Sequence, residues 1–248
     1  MLELCVNQAA GLQSIGLQAA PRVIAVASHG DQRGELPLLW GLCATLVGQG
    51  YPVAVLDATS EESPANPGLT QILDAAHWQA DDDAPMAWSV IPASLGLQRL
   101  ADETPGARLP LDALSGLFEN YGVIVIYARA DVLSRVLADS GVEPLLTVSP
   151  AKMSCLTAYQ ALKHLLLKAG LRPTIASLEE APFSNMKKPS PVNKLQDCAM
   201  TFLDYRLDTL VVRHLPTQDD PSVDMHRLAL RLLENAMPLH RHPFVRSH

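Results

Sequence analysis

Residues 23–57 read VIAVASHGDQRGELPLLWGLCATLVGQGYPVAVLD, and their order of apolar and polar positions decides the fold. Val23–Ala27 is a short continuous apolar run of the kind that a sheet buries on both faces. Ser28–Glu35 interrupts it with a polar, Gly-containing loop. A helix is expected from about Leu36 to Gln49, and Gly50 then turns the chain into a second apolar strand ending on Asp57. Strand, loop, helix and strand form one supersecondary unit.

Outward from this unit the same alternation continues. Trp88–Ile91, Val123–Ile126, Leu145–Val148, Thr174–Leu178 and Leu210–Val212 read as strands. Helices are expected over Leu69–Ala76, Leu111–Phe118, Ser154 to Gly170, Leu195–Leu203 and Ser222–Met237. Ser154 is placed to cap its helix and Gly170 to end it. Alternating elements with apolar strands predict a three-layer α/β domain around a mostly parallel sheet. A chain of 248 residues, 48% hydrophobic, can bury such a core as one domain.

Composition removes several function classes. A net charge of −7 argues against indiscriminate nucleic-acid binding, which needs a cationic surface. Cys5, Cys43, Cys155 and Cys198 contain no C-x-x-C pair and read as small apolar residues in a reducing cytosol. The first 20 residues lack the basic start and unbroken apolar run of a signal peptide, and no stretch of about 18 apolar residues could span a bilayer. Asp81-Asp82-Asp83 reads as a solvated turn, and His240, His242 and His248 as a tail, so no metal site is expected.

The 23–57 unit resembles the opening of the MinD/ParA class of P-loop ATPases, V-x-S-G-K-G-G-V-G-K-T-T before the helix and L-L-I-D-A-D after the next strand. The alignment runs without a gap from Val23 to Thr59, with Ser28 and Gly34 in their family identities. The residues that would perform the chemistry differ. Glu35 stands at the phosphate-binding lysine, Leu36 at the magnesium-binding hydroxyl, and Gly30 at the lysine that reaches across a nucleotide-bound dimer. His29, Asp31 and Gln32 replace loop glycines. Asp57 is retained, but Thr59 stands at the hydrolytic acid, and Tyr127 at the aspartate that supports Mg²⁺ through water. A P-loop aims backbone N–H groups and an ammonium at phosphates. Asp31 and Glu35 put carboxylates there instead. The segment Ser149–Gly170 is similar to the family's P-E-x-x-S-x-x-D-A-Y-x-x-x-K pattern, keeping Pro150, Ser154, Ala158, Tyr159 and Lys163 while Ala151 and Thr157 replace its acids. Ser177 stands where the family places a base-contacting asparagine. Scaffold positions match and ligand positions do not.

Residues 1–20 precede the first strand, with Leu4, Gln8, Leu12 and Ile15 at helical spacing. Gly11 and Gly16 each cost about 1 kcal/mol relative to Ala in a helix, so the segment is marginal alone. Asn7–Gln13 resembles the D-Q-A-x-x-L-R element of the FlhG (FleN) family, MinD-type proteins that control flagellar number and position. Gln8, Ala9 and Leu12 match, while Asn7 and Gln13 replace the acid and the arginine. In that family the element stimulates FlhF, a GTPase of the signal-recognition-particle type, which implies a partner contact through Leu4, Gln8, Ala9 and Leu12.

The chain therefore divides into an activator segment (1–20), a MinD/ParA-like domain with a degenerate P-loop (21–215), and a C-terminal helix and tail (216–248). The resemblance implies a non-hydrolysing regulator in flagellar number or placement, working through protein contacts with an FlhF-like GTPase or another polar regulator. It implies no cofactor, with ATP or ADP binding left open, and a monomer or a dimer indifferent to nucleotide. It implies a cytoplasmic protein open to recruitment to the inner membrane or pole. Arg227 and Arg231 set against Asp224 and Glu234 give the last helix little attraction for anionic lipid, and core packing is its expected role. The competing readings are an ATP- or ADP-binding MinD-like ATPase and a scaffold for another polar or envelope apparatus.

Overall fold

The strands alternate their side chains between two cores, and that alternation builds the layers. A computed structural model describes residues 20–75, 88–103, 110–179, 190–213 and 223–239. Along β1 (Arg22–Ser28), Val23, Ala25 and Ala27 enter one core while Ile24 and Val26 enter the other. β2 (Val53–Asp57) and β4 (Val123–Arg129) do the same, because a strand buried on both faces sends successive residues to opposite sides.

The sheet has the order β3-β2-β4-β1-β5-β6-β7, with β3 (Trp88–Pro92), β5 (Leu145–Val148), β6 (Thr174–Leu178) and β7 (Asp208–Val212). Every neighbouring pair along this order is parallel. A two-residue strand, β8 (Met237–Pro238), pairs antiparallel with the start of β1. β1 lies between β4 and β5, so the strand order reverses beside it. The carboxyl ends of strands at such a reversal are where open α/β sheets bind ligands.

Two helices cover one face, α1 (Gln32–Gly48) and α7 (Val223–Glu234). Leu38, Leu39, Leu42 and Leu46 of α1 meet Met225, Leu228, Leu232 and Leu233 of α7 over the strands. Edge-to-face packing of Trp40 on Trp88, centroids 4.7 Å apart, ties α1 to the β3 edge. The other face carries α2 (Leu69–Asp74), α3 (Ser94–Glu103), α4 (Ala130–Val136), α5 (Ser154–Ala169) and α6 (Pro191–Leu203). The three-layer α/β expectation holds.

Several boundaries differ from the sequence expectation, each for a local reason. α1 begins at Gln32 rather than Leu36, because the Asp31 carbonyl already accepts the amides of Gly34 and Glu35. The helix expected over Leu111–Phe118 is only a 3₁₀ turn, Pro110–Leu114, which buries Leu111 and Leu114, followed by turns that bury Phe118. α3 and α4 form where no helix was expected. The apolar face of α7 is spent inside the domain, as expected of a core-packing helix. Among the described residues no helix is long and apolar enough to cross a membrane.

Candidate functional site

The loop after β1 lies at the reversal of strand order, and Glu35 fills its centre. Glu35 stands on the first turn of α1, fully buried, with its carboxylate folded back over the residues that precede the helix. Oε1 accepts the backbone N–H groups of His29 (3.0 Å) and Asp31 (2.9 Å). Oε2 accepts the hydroxyls of Ser28 (3.0 Å) and Tyr127 (2.6 Å). An ionised carboxylate offers about four lone-pair sites, and four donors take them. Tyr127 comes from the adjacent strand β4 and is 2% exposed. Burial first, and then its bond to Glu35, raise the Tyr127 hydroxyl above the usual phenolic range.

Two residues, His29 and Asp31, close the crevice between β1 and β5. His29 Nε2 donates to the Thr147 carbonyl at 2.8 Å and lies 3.4 Å from Glu35 Oε1. A carbonyl only accepts, so this ring nitrogen carries the proton. Nδ1 lies 2.8 Å from the hydroxyl of Thr157, on the first turn of α5. The Asp31 carboxylate accepts the Ser149 hydroxyl just beyond β5. Gly30, at φ +92°, makes the left-handed turn between these two anchors. Gly34 allows the close approach of α1: a Cβ there would lie 2.9 Å from Ser149 Cβ and 3.0 Å from Asp31 Oδ2.

The neighbouring loop is held in the same manner. Asp57, in register with Tyr127 across β2 and β4, accepts the Thr59 amide (2.9 Å) and the hydroxyls of Thr59 and Ser60 (2.6 Å each). Glu62, 8% exposed, accepts the amide of Thr70 at the start of α2 (2.7 Å) and those of Leu95 and Gly96 at the start of α3 (2.8 Å each). One carboxylate thus caps two helix N-termini, where the helix dipoles favour negative charge.

No family model matches the chain, and no curated protein matches its sequence. Solved structures do. The MinC:MinD cell division protein complex of Aquifex aeolicus superimposes with a TM-score of 0.56 at 14% identity, covering 89% of this chain and 98% of that one. A cobyrinic acid a,c-diamide synthase from Mycobacterium smegmatis, with bound ADP and magnesium, gives 0.55 at 16% identity over 90% and 100%. A complex of a Cyanothece McdA variant with ATP gives 0.52 at 13% over 87% and 97%.

The chain has the fold of the MinD/ParA-type P-loop ATPases.

Within this MinD/ParA-type fold, Gly30, Gly34, Glu35, Asp57 and Tyr127 gather at the carboxyl ends of β1, β2 and β4. Leu36 is half-buried and turns into the core under α1. Thr59 is exposed and bonded to Asp57. Leu4, Gln8, Ala9 and Leu12 lie outside the described residues, as do Asp81-Asp82-Asp83 and the C-terminal histidines. Among the described residues no group of three or more His, Cys, Asp or Glu side chains could hold a metal ion. Sequence reading missed Glu62, Thr147 and Ser149 as members of the site. Their partners lie 8 to 118 residues away, so the sequence offered no local pattern for these contacts. Only the strand order, through the reversal beside β1, points to the β5 end.

Proposed function

We propose that this chain is a non-hydrolysing regulator built on the MinD/ParA-type fold, acting through protein contacts rather than nucleotide turnover. The observation that carries the reading is the Glu35 carboxylate, which takes the loop N–H groups of His29 and Asp31 from the position of the phosphate-binding lysine. A phosphate oxygen about 4 Å from that carboxylate would meet repulsion on the order of 4 kcal/mol per unit charge at the effective dielectric of a protein surface. Leu36 has no hydroxyl for magnesium, Thr59 is committed to Asp57, and the Tyr127 hydroxyl is committed to Glu35. These residues do not fit Mg–ATP, and no hydrolytic step is assigned to them. Phosphate-release assays with the full-length protein are expected to stay at background; turnover that scales with protein concentration would overturn the reading.

The finer role is FlhG-like. It is supported by the Asn7–Gln13 element directly ahead of β1 and, at the level of fold, by likeness to a MinD seen in complex with a second protein. In this role Leu4, Ala9 and Leu12 supply apolar contact to an FlhF-like GTPase, and Gln8 orients the attacking water. Gln8→Ala should lower the stimulated GTPase rate with binding nearly intact, whereas Leu12→Ala should weaken binding by about 1–3 kcal/mol. Equal GTPase rates with wild type and both variants would remove the activator role. With Gly30 at the position of the dimer-crossing lysine, the protein is a monomer or a dimer unaffected by ATP, which light scattering reads directly. The apolar face of α7 is internal, so recruitment to the inner membrane or pole would not run through this helix.

A further inference from the structure

We propose that Glu35 is a tethered substitute for a bound oxyanion, and that its cradle becomes an anion site once the carboxylate is removed. The inference rests on the reading that the loop holds no nucleotide, and it adds what the loop holds instead. The groups converging on Glu35 come from three elements and are all donors here: two backbone N–H groups on one oxygen and two hydroxyls on the other. The N–H groups cannot accept, so the lining is satisfied by a group with two adjacent acceptor oxygens. A carboxylate or a phosphate has that form, and a chloride ion does not.

The cradle is held by contacts that do not involve the Glu35 side chain. His29 is fixed by the Thr147 carbonyl and Thr157, Asp31 by Ser149, and the backbone turns between them at Gly30. Shortening Glu35 leaves these anchors in place, leaves the two N–H groups without an acceptor, and leaves the paired hydroxyls of Ser28 and Tyr127 facing the same space. The consequence for the native protein is a loop ordered by its own chain, with no dependence on a diffusible ligand.

The test uses full-length Glu35→Ala, with sodium formate and inorganic phosphate as probes and sodium chloride at matched ionic strength as control. The backbone amide resonances of His29 and Asp31 in the variant should move saturably on adding formate or phosphate, and formate should return them toward their wild-type positions. Its melting temperature should rise by about 3–6 °C at ten times the dissociation constant. Glu35→Gln, whose amide still fills the space, should show no saturable response, nor should wild type. If Glu35→Ala fails to fold in chloride, recovery of its circular dichroism by formate gives the same reading. Chloride acting as well as formate, an equal response in Glu35→Gln, or failure to fold at every formate concentration would overturn the proposal. Those results would leave the non-hydrolysing reading standing, which nucleotide turnover by wild type would remove instead.

Discussion

Removing the Tyr127 hydroxyl is the most selective perturbation of the loop. Tyr127→Phe keeps the ring, so the packing of a residue only 2% exposed is retained, and it deletes one of the four donors to Glu35. Hydrogen bonds to a charged partner contribute about 1.5–3 kcal/mol, and the 2.6 Å separation places this bond among the charge-assisted kind. Tyr121→Phe provides the comparison. Its hydroxyl donates to neutral Ser89 Oγ at 3.0 Å, a bond of about 0.5–1.5 kcal/mol. Urea denaturation should therefore place Tyr127→Phe about 1 kcal/mol below Tyr121→Phe, the difference between the middles of the two ranges, with m unchanged. The pH dependence supplies a second readout. Burial and then Glu35 raise the Tyr127 hydroxyl above the unfolded value of about 10, so the native state keeps a proton the unfolded chain has released. That contribution is complete below pH 10 and is lost as pH rises beyond it, so the gap between wild type and Tyr127→Phe should narrow from about pH 10 upward. Equal losses in the two variants, or a gap that widens with alkali, would refute the assignment of Tyr127 to a buried charged acceptor.

Glu62→Ala should cost about 2–4 kcal/mol in urea denaturation and speed hydrogen exchange at Leu95 and Gly96, because two helix N-termini lose one acceptor. Gly34→Ala should cost about 1–3 kcal/mol, since its Cβ would meet Ser149 Cβ at 2.9 Å, and denaturation reads it directly. Burial pushes the Cys43 thiol up to about 12, so iodoacetamide at pH 8 should label it only after unfolding, as mass spectrometry of digests would show. The same shift removes stability as pH rises through the window from 9 to about 12, by at most about 1.4 kcal/mol per pH unit.

The sheet was legible because its central strands are buried on both faces and therefore appear as largely apolar runs. Thr174–Leu178 and Leu145–Val148 have the expected boundaries, β2 ends on Asp57 as expected, and β1 and β4 needed only their ends extended. α3 went unread because Ser94–Glu103 mixes polar residues with Leu97 and Leu100, and its N-terminus is capped by Glu62 from 32 residues upstream of Ser94 rather than by a local residue. The expected 111–118 helix failed because the buried side chains Leu111, Leu114 and Phe118 can be delivered by a 3₁₀ turn and successive turns. At the site, the alignment marked Glu35 and Tyr127 as two separate departures from the motif. The structure joins them in one hydrogen bond between residues 92 apart. Such a pair depends on β4 lying beside β1, which no spacing within the loop encodes.

On the proposed reading, the loop after β1 is committed to its own carboxylate and takes no nucleotide. Titration calorimetry of full-length protein with ATP and with ADP, each with and without Mg²⁺, tests it most directly. No saturable heat is expected up to about 1 mM nucleotide, a concentration at which even a 4 kcal/mol interaction would register. Saturable Mg–ATP binding at micromolar concentration, with Glu35 unaltered, would contradict that reading.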